Sequence, residues 1–201
     1  MNKSPFYVVE EFLSPMLCED ILLKADFTVP NTDKNGAEVM TMKSCQPADL
    51  IIFERLQNII DDVQAYYQVL YKGTEAMKYE WFPEGSVGAI GCENSVYSRK
   101  KWLRVKPADL TGIIFLTDYQ DQPNFDEGYE VYGGKLEFPQ HQFGFNPKRG
   151  TLIIFPSGPH FINQTTLIQA GDLHQVRFNI VGKTPYLYNP AGFPGNYTNW
   201  F

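Results

Sequence analysis

Apolar and polar positions change period once along this chain, and the change separates a helical part from a strand-rich part. Phe6 to Phe12 reads as an opening strand. Ser14-Pro15 follows as helix cap and first helical residue, because a Ser oxygen satisfies a free helical N–H and Pro has none to leave unpaired. Met16 to Ala25 is then a short amphipathic helix, and the polar stretch Asn31 to Lys43 is a loop. From Asp49 to Leu70, the residues Leu50, Phe53, Leu56, Ile60, Val63 and Tyr67 recur every three or four positions. That stripe predicts a long helix packed on something broad, most simply a sheet.

From Lys78 onward the period is two. Strands are predicted at Tyr79–Phe82, Val87–Cys92, Leu110–Thr117, Lys135–Phe138, Thr151–Phe155 and Gln175–Val181. Turn-forming residues separate them, among them Pro83-Glu84-Gly85, Gly133-Gly134, Pro147 to Gly150 and Ser157-Gly158-Pro159. Short strands at this spacing predict a sandwich or barrel. The stretch after Gly182 is irregular and aromatic, and is read as a segment laid over the body or offered to a partner. The chain is therefore expected to be one domain: helical support over 1–77, a β core over 78–182 and an aromatic tail over 183–201.

Composition narrows this picture. The 201 residues carry a net charge of −6, with one basic run, Arg99-Lys100-Lys101, and Arg104 and Lys106 nearby. Nucleic acid is not an expected partner, because duplex binding uses a larger basic face. Three cysteines, Cys18, Cys45 and Cys92, make neither a disulfide framework nor a zinc spacing. No apolar run is long enough for a membrane span, and the first residues lack the apolar core of a signal peptide. A reducing, cytoplasmic setting is the expectation.

The candidate chemistry lies in one ordered block. It runs from Ala108 to Tyr119, through Tyr132-Gly133-Gly134-Lys135-Leu136-Glu137-Phe138-Pro139, then Phe145 to Pro156 and on through Ser157-Gly158-Pro159 to His160. This order resembles the catalytic half of prolyl 4-hydroxylase-like 2-oxoglutarate/Fe(II) dioxygenases, including phage-type members, over roughly residues 79 to 181. The resemblance implies a mainly β fold with N-terminal helices: a double-stranded β-helix, or jelly roll, buttressed by helices. It also implies Fe(II) and 2-oxoglutarate as cofactors and a peptide, protein or other biopolymer as substrate.

The site residues implied are His160 as a metal ligand, Arg177 as the anchor for 2-oxoglutarate, and Thr111 and Tyr119 as further cosubstrate contacts. A non-haem iron site needs two histidines and a carboxylate with open positions. The family's His-x-Asp pair is absent here. The matching strand offers two registers: Cys92 with Asn94, or Gly91 with Glu93. A strand alternates its faces, so only one pair can point inward. His174 could supply a missing nitrogen, and His141 reads as a surface residue. Leu173 and Arg177 are alternative occupants of the anchor slot. Two functions follow from this pattern. One is an oxygenase with a degenerate iron site. The other is a silent jelly-roll binding or structural subunit, of a phage virion for example.

Overall fold

Sixteen strands and two helices form among the residues that the computed structural model describes: 4–24, 31–32, 38–41, 46–123 and 129–188. In chain order they begin β1 (Tyr7–Val9), α1 (Pro15–Lys24), β2 (Asn31–Thr32), β3 (Glu38–Thr41), α2 (Gln46–Tyr67), β4 (Tyr71–Thr74) and β5 (Lys78–Phe82). Next come β6 (Ser95–Ser98), β7 (Lys101–Arg104), β8 (Leu110–Phe115), β9 (Asp118–Gln120), β10 (Glu130–Gly133), β11 (Leu136–Phe138) and β12 (Phe143–Phe145). The last are β13 (Leu152–Pro156), β14 (Gln164–Thr165), β15 (Ile168–Gly171) and β16 (Leu173–Gly182).

A large sheet in the order β1-β13-β8-β16-β5-β3-β2 dominates, with β4 also paired to β16. Its named pairs are all antiparallel. Two small sheets, β15-β10-β9 and β12-β11-β14, accompany it, and β6 and β7 form a ribbon of their own. Each face of the large sheet buries a core. Leu110, Ile114, Leu152, Ile154, Val176, Phe178 and Ile180 meet the helices. Ile113, Phe115, Ile153, Phe155 and Leu173 meet Val131, Leu136, Phe138 and Ile168 of the small sheets. β8 and β13 are buried along their whole length because both faces of the sheet are covered.

Local chemistry explains several boundaries. The Leu17 N–H donates to Ser14 Oγ at 3.3 Å, so Ser14 caps α1 as expected. The helix stripe differs from the expected one at its start. Ala48, Ile52, Leu56, Val63 and Tyr67 are buried, whereas Leu50 and Phe53 are 64% and 42% exposed. The two stripes share Leu56, Val63 and Tyr67 and diverge over the first two turns. Gly150 has φ +78°, and a Cβ there would lie 2.1 Å from the Leu13 carbonyl oxygen, so this turn requires glycine.

Two expectations change. The stretch 31–43 was expected to be a loop but contains β2 and β3, which extend the large sheet at its edge. Strands of two and four residues are too short to show a period of two in the sequence. Val87–Cys92 was expected to be a strand but forms no ladder. It is bridged once, Gly91 to Asn163. Gly88 lies so close to Thr165 that a Cβ would sit 2.8 Å from the Thr165 Cβ, and such a close approach favours glycine over a ladder residue. Of the expected aromatic tail, residues 183–188 are described and 189–201 lie outside the described residues. Tyr186 and Tyr188 pack against the core.

Candidate functional site

Strand β16 carries two kinds of side chain. Leu173, Gln175, Arg177 and Asn179 share the face turned to the small sheets, and His174, Val176, Phe178 and Ile180 share the face turned to the helices. Register brings Glu80 of β5 opposite Gln175, and Thr111 of β8 opposite Asn179. A buried polar row results. Arg177 Nε donates to Glu80 Oε2 at 3.1 Å, and its Nη1 donates to Glu93 Oε1 at 2.9 Å. Gln175 Nε2 donates to the same Glu80 oxygen at 2.6 Å. Thr111 Oγ1 donates to Asn179 Oδ1 at 3.2 Å and lies 2.7 Å from Ser157 Oγ.

A cleft of about 210 Å³ opens beside this row. Its lining includes Glu80, Gly91, Cys92, Glu93, Asn163 and Arg177. Burial opposes ionisation of Glu93, but Arg177, Lys106 and Lys78 outweigh it and hold the carboxyl below its ordinary range. Burial also opposes charge on Arg177, and Glu80 and Glu93 reverse that and raise its pKa. The pair is therefore charged on both sides. The thiol of Cys92 is pushed up by burial and donates to the Ser95 carbonyl at 3.4 Å. It is a protonated thiol, and the thiolate is the form that ligates metal.

The expected ligand set does not converge. Glu93 faces Arg177, whereas His160 lines a different cavity of about 240 Å³ together with Asn94, Arg104, Asp109 and Tyr188. Asn94 is buried there, with its Nδ2 donating to the Ala108 carbonyl at 2.9 Å. Burial lowers the pKa of His160, so the ring is neutral at pH 7. His174 stands on the helix side of β16, stacked on Trp81 with ring centroids 6.0 Å apart. Burial pushes its pKa down to about 4. The half-buried His141 has Nε2 2.7 Å from the His160 carbonyl oxygen and stacks on Phe161, so it is not the surface residue expected. Tyr119 sits on β9 with Lys135 Nζ 5.3 Å from its ring centroid, and it does not line the cleft.

These donors do not fit iron and 2-oxoglutarate. The cleft offers carboxylates but no imidazole, and among the described residues no three of His, Cys, Asp and Glu come together to hold a metal. The guanidinium that would fork onto a cosubstrate carboxylate already serves two carboxylates of its own.

Glu80 and Asn163 are the site residues that sequence reasoning passed over. Glu80 carried a signal: it is a charge inside the apolar run Tyr79 to Phe82. Asn163 carried none beyond its distance from the turn at Gly158.

No protein-family model matches the chain, and no curated protein matches its sequence. Solved structures do match in shape. A viral collagen prolyl hydroxylase from Paramecium Bursaria Chlorella virus-1, in its 2OG complex, aligns with TM-score 0.66 and 13% identity, over 90% of this chain and 97% of that one. A prolyl-4-hydroxylase from Pseudomonas putida aligns with TM-score 0.62 and 12% identity, over 90% and 94%. HygX from Streptomyces hygroscopicus, with nickel and 2-oxoglutarate bound, aligns with TM-score 0.59 and 11% identity, over 96% and 91%. At such identities the likeness is one of fold.

Proposed function

We propose that this protein uses the oxygenase jelly roll as a binding or structural scaffold and performs no iron chemistry. One observation carries the reading: Arg177 bridges Glu80 and Glu93 inside the cleft, at 3.1 and 2.9 Å. The three side chains tie β5 and β16 of the large sheet to the segment that holds Gly91 and Glu93. They act as a clasp across the mouth of the fold. Breaking one partner of such a buried pair leaves an uncompensated charge, which is costly. The likeness to 2-oxoglutarate enzymes supports the architecture, and the donor set argues for a retired centre within it. A virion is one assembly in which such a subunit would serve.

Anaerobic titration with iron(II) or manganese(II), with and without 2-oxoglutarate, tests this. A ligand present at a hundred times its Kd would add about 2.7 kcal/mol of stability. The expected result is an unchanged melting temperature and no binding heat up to millimolar metal. Saturable metal binding that is lost in Glu93→Gln would overturn the reading and restore the degenerate oxygenase.

A further inference from the structure

We infer that the β6–β7 ribbon is a docking surface for an extended acidic segment of a partner protein, which adds to it as a third strand. The inference rests on the scaffold reading for its purpose, but on different residues. Among the described residues no other strand pairs with the ribbon on either of its outer edges. Its register is Ser95↔Arg104, Val96↔Leu103, Tyr97↔Trp102 and Ser98↔Lys101, closed by the two residues Arg99 and Lys100. In a two-residue hairpin the closing pair exchanges both hydrogen bonds, so Tyr97 and Trp102 turn their backbone N–H and C=O groups outward. An extended chain can bond to these groups as it would to any sheet edge.

Charge selects the partner. Residues 95–106 hold Arg99, Lys100, Lys101, Arg104 and Lys106 and no acid; Lys106 is paired with Glu93 at 3.9 Å, which leaves the cations at the tip to meet a partner. Arg104 is anchored: it donates to Asp109 Oδ1 at 2.8 Å and to the Pro107 carbonyl at 3.0 Å, which fixes the base of the ribbon. Arg99, Lys100 and Lys101 are exposed at the tip. The turn itself points to a use for them. Arg99 and Lys100 have φ +50° and +64°, where Asn-Gly is favoured and long side chains are strained. Residues held in this way cluster at binding sites and ligand clamps.

Apolar exposure selects the class of macromolecule. Val96, Leu103 and Val105 are all exposed, Val105 by 55%, and Tyr97 is 62% exposed. Aliphatic side chains gain nothing against phosphates, which argues against a nucleic acid. The leading end of the ribbon is charged and the apolar residues lie behind it, the reverse of a membrane-inserting tip. Val96, Leu103 and Lys101 share one face of the ribbon, with Arg99 and Lys100 beyond them at the tip, so a strand that is apolar beside Val96 and Leu103 and acidic toward the tip matches both the aliphatics and the cations.

The test uses the whole protein and a fluorescein-labelled, strand-length Val/Glu peptide, with a Val-rich half followed by a Glu-rich half, read by anisotropy. Counter-probes are the Val/Lys peptide, oligothymidylate of matched length, and vesicles of phosphatidylcholine with phosphatidylglycerol. The variant Arg99→Asn/Lys100→Gly/Lys101→Thr removes three cations while giving the turn residues it favours, so the hairpin is retained. Saturable binding of the Val/Glu peptide is expected, weakened about tenfold or more in the variant and by added salt. Absence of saturable binding, equal affinity for the Val/Lys peptide, tighter binding of DNA or vesicles, or an unaffected variant would each overturn the inference. Because the variant leaves Glu80, Glu93 and Arg177 in place, its result is separable from the metal titration.

Discussion

The two faces of β16 solve opposite problems with alternate residues of one strand. Toward the helices, Val176, Phe178 and Ile180 are buried among apolar neighbours, and Phe178 lies so close to Gly112 that a Cβ there would sit 2.2 Å from its ring. Toward the small sheets, Gln175, Arg177 and Asn179 are held by hydrogen bonds and ion pairs. The apolar face draws on area removed from water, so its energy is spread over many contacts. The polar face draws on completion: it is stable only while every charge keeps its partner. One face thus loses stability in proportion to the volume a substitution removes, and the other according to whether a charge is left without its partner.

Substitutions on each side would sharpen or break that contrast. Phe178→Ala is expected to cost the most, about 4 kcal/mol in urea unfolding, because it opens a cavity beneath Gly112. Arg177→Met should cost about 3 kcal/mol, and Arg177→Met/Glu80→Gln/Glu93→Gln should recover most of that loss; no recovery would mean that Arg177 matters by packing alone. Acid exposes the helix face through His174. Its folded pKa, near 4, lies below the ordinary 6.5, so the unfolded chain binds the proton first. Stability is therefore full above about pH 6.5 and falls as pH drops toward 4, by up to about 3 kcal/mol, and His174→Phe should flatten that slope. Glu93 acts in the same direction, since its depressed carboxyl supplies stability that is lost as pH falls through its folded pKa. The smallest effect is expected for Gln175→Leu. It loses one bond to Glu80 but removes a buried Gln175 oxygen that has no partner among the described residues. Its net change should be within about 1 kcal/mol.

Much of the core could be read from the residues because burial writes a period. The strands expected at Leu110–Thr117 and Thr151–Phe155 form as β8 and β13 with ends shifted by one or two residues, and Gly133, Gly134 and Gly150 take the positive φ of turns where turns were expected. The site was harder to read because a turn carries no period. After Gly158 the backbone makes a short helical turn over Pro159–Phe161, which carries His160 into a cavity apart from Glu93. Asn163, three residues on, is the one that pairs with Gly91. Spacing placed a histidine near the right point of the chain without fixing where it would face. The two open registers at Gly91 to Asn94 differ for the same reason: Glu93 turns to Arg177, and Asn94 turns to the opposite cavity.

The central place of β16 also bears on how the chain assembles as it is synthesised. Its hydrogen-bonded neighbours are β8, β5 and β4, all of them made earlier, and the segment from Lys78 to Gly182 must be complete before they can close around it. At translation speeds of roughly 5–20 residues per second, the earlier strands wait several seconds with open edges. Contacts this distant in sequence also fold slowly once available, typically in milliseconds to seconds. A ribosome-stalled chain ending before Leu173 should therefore emerge as separate helices and hairpins, vulnerable to proteases, and acquire resistance in a single step when β16 is released.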